Sequence, residues 1–146
     1  MAVVAAREDI RQAEICDTFS AFAQLNVALP TPGQTLHPGQ SFTVRVEKEA
    51  VLSPSTEVGI AIGLSNGQPV MGYEDASHNI YSILYAGPFS PQPESAGRTT
   101  LFQDFTVTVP SSFTPGESIL EVARVALVGL GPSLGTQISN VTVTLA

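Results

Sequence analysis

The chain has 146 residues, of which 43% are hydrophobic and 13% charged, a composition typical of a globular protein rather than a disordered one. This length suits one domain with a sizeable core. Six basic residues against thirteen acidic ones give a net charge of −7, and the basic residues are scattered. The sequence therefore predicts neither a nucleic-acid partner nor binding to an anionic membrane surface, since both need clustered basic residues.

The first 21 residues are predicted to form an arm that precedes a single domain at residues 22–146. Residues 7–15 contain helix formers and could make two helical turns, although a helix this short is marginal alone. Cys16 is the only cysteine, so no intrachain disulfide can form. A small buried thiol is favoured for Cys16, with an intermolecular disulfide or a reactive thiol as the alternative.

Two features of the chain bear on its location. No apolar run approaches the roughly 20 residues of a membrane span, so no membrane insertion is predicted. The apolar residues 2–6 are too few for the core of a signal peptide, and charged residues follow immediately. The protein is therefore either cytosolic or secreted with its signal peptide already removed.

The N-terminal half of the domain contains three runs of β type. Residues 22–29 have apolar side chains at mostly alternate positions, and the prolines that follow end the run. A Pro38-Gly39 turn precedes the alternating run of residues 41–46. In residues 58–64, large branched side chains beginning at Val58 alternate with glycine and alanine, which predicts one face of small residues and either a close backbone approach or a bulge.

Four further runs complete the domain. Residues 80–86 put Tyr81, Ile83 and Tyr85 on one parity, and an irregular proline-rich loop follows at residues 87–97. Two further runs start near Leu101 and Gln137, and within them residues 105–109 and 141–145 alternate between apolar and polar side chains, which is the period of a half-buried strand. Residues 118–128 are apolar on both parities, as expected of a central strand that is covered on both faces.

About seven short strands, separated by Pro/Gly turns and with no long helix, predict an all-β fold. The favoured architecture is a two-sheet antiparallel sandwich of immunoglobulin or fibronectin III type. The antibody signature of two cysteines and a tryptophan is absent, because the chain has one Cys and no Trp. A jelly roll or small barrel is the alternative.

Ser65 lies in a G-x-S-x-G sequence at residues 63–67, the pattern of a hydrolase nucleophile elbow. That elbow needs the serine turn to open a helix, whereas Gly67 and Pro69 follow here. An Asn66-Gly67 hairpin turn explains the pattern better. A serine hydrolase using Ser65 with His78 is kept as an unfavoured alternative, and no enzyme is predicted.

Few loop side chains could bind a metal ion. Glu74, Asp75 and His78 could hold a divalent cation, but ordinary loop polarity explains them better. Neither a metal nor any other cofactor is predicted. Three glycines at residues 129–135 do not fit a phosphate-binding loop, and Pro132 blocks a helix start, so a strand connection is predicted there.

Asn140 begins an Asn-Val-Thr sequence, which is an N-glycosylation sequon. The sequon has meaning only in a secreted protein. Asn140 is therefore the predicted glycosylation site if the chain is exported.

Several blocks in the C-terminal half resemble the fungal necrosis-inducing secreted protein 1 family. They are YAGPFSPQPE at 85–94, FQDFTVTVPSSF at 102–113, VARVALVGLGP at 122–132 and NVTVTL at 140–145. The turn at Pro38 and the strand at Val58 are also similar, so the resemblance extends from about Phe22 to the end. The chain differs where family members often carry His-Phe, since it has Arg124-Val125.

The resemblance implies a secreted, extracellular, non-enzymatic fungal β-sandwich that modulates host immunity by binding a host protein. Members from plant-associated fungi act as effectors that interfere with receptor-associated kinases. The proline-rich loop is the predicted contact, because prolines lower the entropy lost on binding. The predicted contact residues are Tyr85, Pro88, Phe89, Pro91 and Arg98. Homo-oligomerisation is left open.

Two further functions are alternatives. One is an immunomodulatory protein of a mushroom, which would stimulate animal immune cells rather than suppress plant receptor-kinase signalling. The other is a carbohydrate-binding module, for which Tyr73, Tyr81, Tyr85 and Phe89 are the candidate stacking residues. The absence of tryptophan ranks sugar binding below protein binding.

Overall fold

The computed structural model describes residues 24–50, 55–65 and 82–146, and these residues form nine β-strands and no helix. The all-β prediction is therefore confirmed. The strands are β1 (Leu25–Leu29), β2 (Thr35–Leu36), β3 (Ser41–Glu49), β4 (Ser55–Ser65), β5 (Ser82–Gly87), β6 (Gln92–Pro93), β7 (Thr100–Thr108), β8 (Gly116–Val128) and β9 (Ser133–Leu145).

The strands form two sheets. One has four strands in the order β1-β3-β7-β6, and the other has five in the order β2-β9-β8-β4-β5. Every pair is antiparallel except β2 with β9, which run parallel. One sheet curls into a half-barrel, so the predicted sandwich of two stacked sheets is not confirmed, nor is its immunoglobulin or fibronectin III type.

The seven longer strands correspond to the seven predicted runs. The additional strands β2 and β6 have only two residues each, which is too short for an alternating pattern to be recognised in the sequence. Some predictions fall outside the described residues and stay predictions. They concern the arm, Cys16 and the strand residues 22–23 and 80–81.

The core lies between the sheets and is formed by the alternating side chains of the longer strands. It contains Val44, Val46, Ile62, Leu120 and Val143, all fully buried. β8 pairs with β4 on one side and β9 on the other. Its side chains from Ser118 to Val128 are buried or half-buried on both parities, which confirms the predicted central strand.

Three bulges overturn the side-chain directions predicted from alternation. The register shifts between Val27 and Leu29 in β1, between Glu57 and Gly59 in β4, and between Ile62 and Gly63 where β4 meets β5. A bulge adds one residue to one strand, so it moves the following side chains to the other face.

Three apolar side chains that share the parity of buried or half-buried neighbours in the sequence are exposed instead: Leu29, Val58 and Ile83.

Both predicted glycine turns are confirmed. Gly39 has a φ of +81°, and the N–H of Gln40 donates to the carbonyl of His37 at 2.9 Å, so Pro38-Gly39 closes a tight turn into β3. Residues 129–132 connect β8 to β9, with Gly129 at a φ of +94°. Only glycine adopts these positive angles at little cost.

The antiparallel pairing brings several chain reversals to one end of the two sheets, here called the loop end. β3 ends at Glu49 opposite Thr100, the first residue of β7. β8 ends at Val128 opposite Ser133, the first residue of β9. Lys48 on β3 bonds Glu57, which pairs with Ala126 near the end of β8, so the turns at residues 94–99 and 129–132 lie at the same end.

Candidate binding site

The segment at residues 88–99, here called the anchored loop, connects β5 to β7 and includes the short strand β6. Phe89 fixes it to the core, because its side chain is only 3% exposed and its ring centroid lies 6.3 Å from that of Phe105. Tyr85, at the entry to the loop, packs on the same ring at 4.6 Å. Ring pairs at these separations contribute beyond the area they bury.

Hydrogen bonds hold the base of the anchored loop in addition to this packing. The hydroxyl of Tyr85 donates to the carbonyl of Pro88 at 2.8 Å. The backbone N–H of Ser90 donates to Oε1 of Gln103 at 2.8 Å. β6 then pairs with β7 through Gln92 opposite Phe102. The loop base is therefore fixed at several successive positions.

The outer part of the anchored loop is exposed. Every residue from 92 to 99 is exposed, including Glu94 and Arg98. A turn closes this part, since the N–H of Arg98 donates to the carbonyl of Ser95 at 3.2 Å and Gly97 has a φ of +85°. A fixed base with an exposed tip is the arrangement expected of a preorganised contact loop.

The five predicted contact residues separate into two groups. Pro88 and Arg98 are exposed and Pro91 is half-buried, so their side chains reach solvent. Tyr85 and Phe89 instead pack on Phe105 and hold the loop in place. The role of the loop in binding stays a prediction, and Pro88, Pro91 and Arg98 are the predicted residues whose side chains are available for direct contact.

Replacing Tyr85 with phenylalanine is expected to lower the free energy of unfolding by about 0.5–1.5 kcal/mol, because the bond to the Pro88 carbonyl is lost. Urea unfolding measures the loss, and hydrogen exchange at the Ser90 amide should become faster. Ser41→Ala is the control, since its hydroxyl bonds Thr108 at the exposed surface. Equal losses in both variants would contradict a holding role for Tyr85.

The outer face of the four-stranded sheet carries an exposed ion pair beside the anchored loop. Nε of Arg45 lies 2.7 Å from Oδ1 of Asp104, and the guanidinium also covers the ring of Phe102 at 4.4 Å. The hydrogen bond from Arg45 lowers the pKa of Asp104, against a smaller opposing effect of burial. An exposed pair of this kind contributes little to stability.

A buried ionic network joins the two sheets near the loop end. Arg124 on β8 is 1% exposed, and its guanidinium donates to both carboxylate oxygens of Glu57 on β4. Its third nitrogen donates to Oε1 of Gln137 on β9 at 2.7 Å. Nζ of Lys48 on β3 donates to the same Glu57 carboxylate at 2.6 Å. Glu57 therefore bonds one cation from each sheet.

The bulge in β4 creates this network. In a regular strand without a bulge, Glu57 would lie on the same face as Gly59 and point away from the core. With the bulge, Glu57 pairs with Ala126 and faces inward beside Arg124. Lys48 arrives from the other sheet at the core-facing parity of Val46.

Burial alone would raise the pKa of Glu57, but hydrogen bonds from Arg124 and then Lys48, together with their charges, outweigh burial and lower it below 4.5. A carboxylate with a lowered folded-state pKa stabilises the fold above its unfolded pKa. That contribution is lost as the pH falls through the folded value.

The free energy of unfolding is therefore expected to fall as the pH drops from about 5 toward about 2, as carboxylates with lowered pKa values become protonated. Glu57→Gln should flatten this dependence, because it removes the group with the buried partners. Urea unfolding across the pH range measures both slopes, with Asp104→Asn as the control. Parallel slopes for Glu57→Gln and the unmodified protein would contradict the assignment.

Two residues of the network could have been singled out from the sequence. Lys48 continues the buried parity of Phe42, Val44 and Val46, which marks a lysine on the core face. Arg124 stands within an apolar run, at the position where the chain differs from the resemblance. Glu57 could not be assigned to the core face from the sequence pattern, because only the bulge turns its side chain inward.

Ser65 is the last residue of β4, with a side chain that is 1% exposed. Its Oγ has no hydrogen-bond partner within the described part of the chain. The hydrolase alternative also needs His78, which lies outside the described residues together with the Asn66-Gly67 turn.

Glu74, Asp75 and His78, which were considered as metal ligands and not favoured, lie outside the described residues. Among residues 24–50, 55–65 and 82–146, no group of three or more metal-ligating side chains is found. No helix in this same part of the chain is long and apolar enough to cross a membrane.

Asn140 lies on β9 with its side chain exposed. The sequon is therefore accessible in the folded protein.

Among the candidate sugar-stacking residues, Phe89 is buried and Tyr85 packs on Phe105, while Tyr73 and Tyr81 lie outside the described residues.

The fold and site define an all-β protein of two sheets, with a buried ionic network and one loop anchored in the core. A family model, that of the Nis1 family, matches residues 21–144, and the chain belongs to this family. The match agrees with the resemblance seen in the sequence blocks. A search of curated proteins found none that is similar.

Proposed function

We propose that this protein is a secreted, non-enzymatic fungal effector that modulates host immunity by binding a host protein through the anchored loop. Receptor kinases or their associated kinases are the proposed partner class, as the Nis1-type sequence blocks imply. Membership of the family supports this proposal, and the exposed sequon at Asn140 is compatible with export.

The observation that carries the proposal is the contrast within the anchored loop. Phe89, Tyr85 and Gln103 fix the base, while the residues from 92 to 99 are exposed. A loop held in one conformation before binding loses less entropy when it meets a partner. The tip presents Glu94 and Arg98, so charge pairing can select the partner.

The strand orders favour an immunoglobulin-like domain as the scaffold for this loop. The order β1-β3-β7-β6 corresponds to strands A, B, E and D of that fold. The order β9-β8-β4-β5 corresponds to G, F, C and C′. Domains of this type use loops at one end of the sheets for recognition, and the tip of the anchored loop lies at the loop end.

The test is capture of recombinant plant receptor-associated kinase domains by the full chain. In the loop variant, residues 94–98 are replaced by a Gly-Ser sequence that keeps Gly97. In the control, exposed Ser111 and Ser112 in the connection between β7 and β8 are replaced by glycine. Capture that is lost only in the loop variant would support the proposal. Equal capture by both variants would rule out the loop as the contact.

The class of host is tested separately. The same three proteins are applied to plant tissue, where suppression of receptor-kinase signalling is measured, and to animal immune cells, where cytokine release is measured. A loop-dependent effect on plant signalling is expected. A loop-dependent response confined to animal cells would instead favour the mushroom immunomodulatory function.

A further inference from the structure

β9 is a long strand, and among the described residues it is paired along only part of one edge. It has 13 residues and pairs with β8 over its whole length without a register shift. On the other edge, β2 pairs only with Thr144 and Leu145. Among the described residues, no strand is hydrogen-bonded to this edge between Ser133 and Val141.

The backbone groups on this edge can be assigned from the bonds near β2. The carbonyl of Thr142 accepts from Gly33, and the N–H of Thr144 donates to the carbonyl of Gln34. Backbone groups alternate in direction along a regular antiparallel strand. The N–H and C=O groups of Leu134, Thr136 and Ile138 therefore also point away from β8.

β1 does not use these groups. It approaches β9 in space, but its ladder bonds go to β3 in the other sheet. After Pro30 the chain leaves the four-stranded sheet, and residues 33–36 bond the C-terminal end of β9. Thr136 lies N-terminal to Thr144 and Leu145, the residues of β9 that pair with β2.

The sequence of β9 itself lacks the features that usually protect a sheet edge. Such edges usually carry charged residues, proline or a bulge, or they are very short. β9 contains no charged residue and no proline, and it has no register shift. Its outward side chains include Leu134, which is 66% exposed, and Ile138, which is 49% exposed.

We propose that this edge of β9 pairs antiparallel with the same edge of a second copy of the chain. A two-fold axis at Thr136 places Thr136 opposite its own copy and Leu134 opposite Ile138 of the other copy. All three residues direct both backbone groups outward, so this register forms six hydrogen bonds and two apolar cross-strand pairs.

The second copy is the occupant that this edge fits, because the arrangement is self-complementary in both hydrogen bonding and side chains. The net charge of −7 does not oppose it locally, since the strand is uncharged and more distant charges are screened beyond about 8–10 Å at physiological salt. The two five-stranded sheets would join into one continuous sheet.

The test is sedimentation equilibrium of the full chain, made without glycosylation and kept reduced so that neither a glycan at Asn140 nor Cys16 affects association. A concentration-dependent dimer is expected. Thr136→Pro should weaken it about tenfold or more, since both bonds of the central pair are lost. Its N–H points away from β8, so proline there breaks no bond within the sheet.

Charge complementation separates edge pairing from other association. Thr136→Lys places two like charges opposite each other and should weaken the dimer by about fivefold. An equimolar mixture with Thr136→Glu should restore association. Thr144→Lys, on the same face but within the stretch that β2 covers, should leave it unchanged. A monomer at all concentrations, or a dimer insensitive to Thr136→Lys, would overturn the proposal.

Discussion

Replacing Glu57 with glutamine is expected to lower the free energy of unfolding by about 3–5 kcal/mol, the usual cost of removing one partner from a buried ion pair. The carboxylate lies between two buried cations, Arg124 at 1% and Lys48 at 6% exposure. Glutamine keeps the shape but removes the negative charge, so both cations stay buried beside a neutral amide.

The control for Glu57→Gln is Asp104→Asn, which breaks the exposed pair with Arg45 in the same conservative way. Solvent already screens that pair, so a much smaller loss is expected. Urea unfolding at neutral pH measures both variants. A loss for Glu57→Gln no larger than that for Asp104→Asn would show that the network does not stabilise the fold.

The network also has a structural consequence at the loop end. Lys48 belongs to the four-stranded sheet, whereas Glu57, Arg124 and Gln137 belong to the five-stranded one. Their bonds have fixed directions, unlike apolar packing. The ionic network therefore sets the position of one sheet relative to the other close to the turns at residues 94–99 and 129–132.

Replacing Phe89 with alanine is expected to cost about 3–5 kcal/mol, because the change leaves a cavity beside Phe105 in the core. Partner capture should decrease by more than the loss of folded protein alone would explain. Without its anchor the loop would sample many conformations, and partner capture would decrease even in protein that is fully folded.

Two measurements separate these effects of Phe89→Ala. Urea unfolding gives the global loss, and hydrogen exchange at the Ser90 amide reports local opening of the bond to Gln103. Phe102→Ala is the control, since Phe102 is half-buried on the outer face beneath Arg45. Unchanged exchange at Ser90 in Phe89→Ala would contradict the anchoring role.

The position of the candidate binding loop could be predicted from the sequence, but the separate roles of its side chains could not. The loop at residues 87–97 was found from its prolines and from the family resemblance, and its residues 92–97 are exposed. The division of its side chains could not be found, because Tyr85 and Phe89 are anchors only by virtue of Phe105 on a strand far along the chain.

The sequence by itself determined the all-β class, the seven longer strands, the central position of β8 and the glycine turns at Gly39 and residues 129–132. These features depend on local chemistry: alternating hydrophobicity records which strands have one buried face, and glycine permits positive φ angles. The family could also be read from the sequence, since its blocks are contiguous stretches of the chain.

Only the tertiary structure decided which side chains meet across the sheets. Three bulges shift the strand register, turning Val58 and Ile83 outward and Glu57 inward toward Arg124. A bulge is set by how neighbouring strands pair and twist, not by the residues of one strand alone. The ionic network and the loop anchors therefore emerge only when distant segments are brought together.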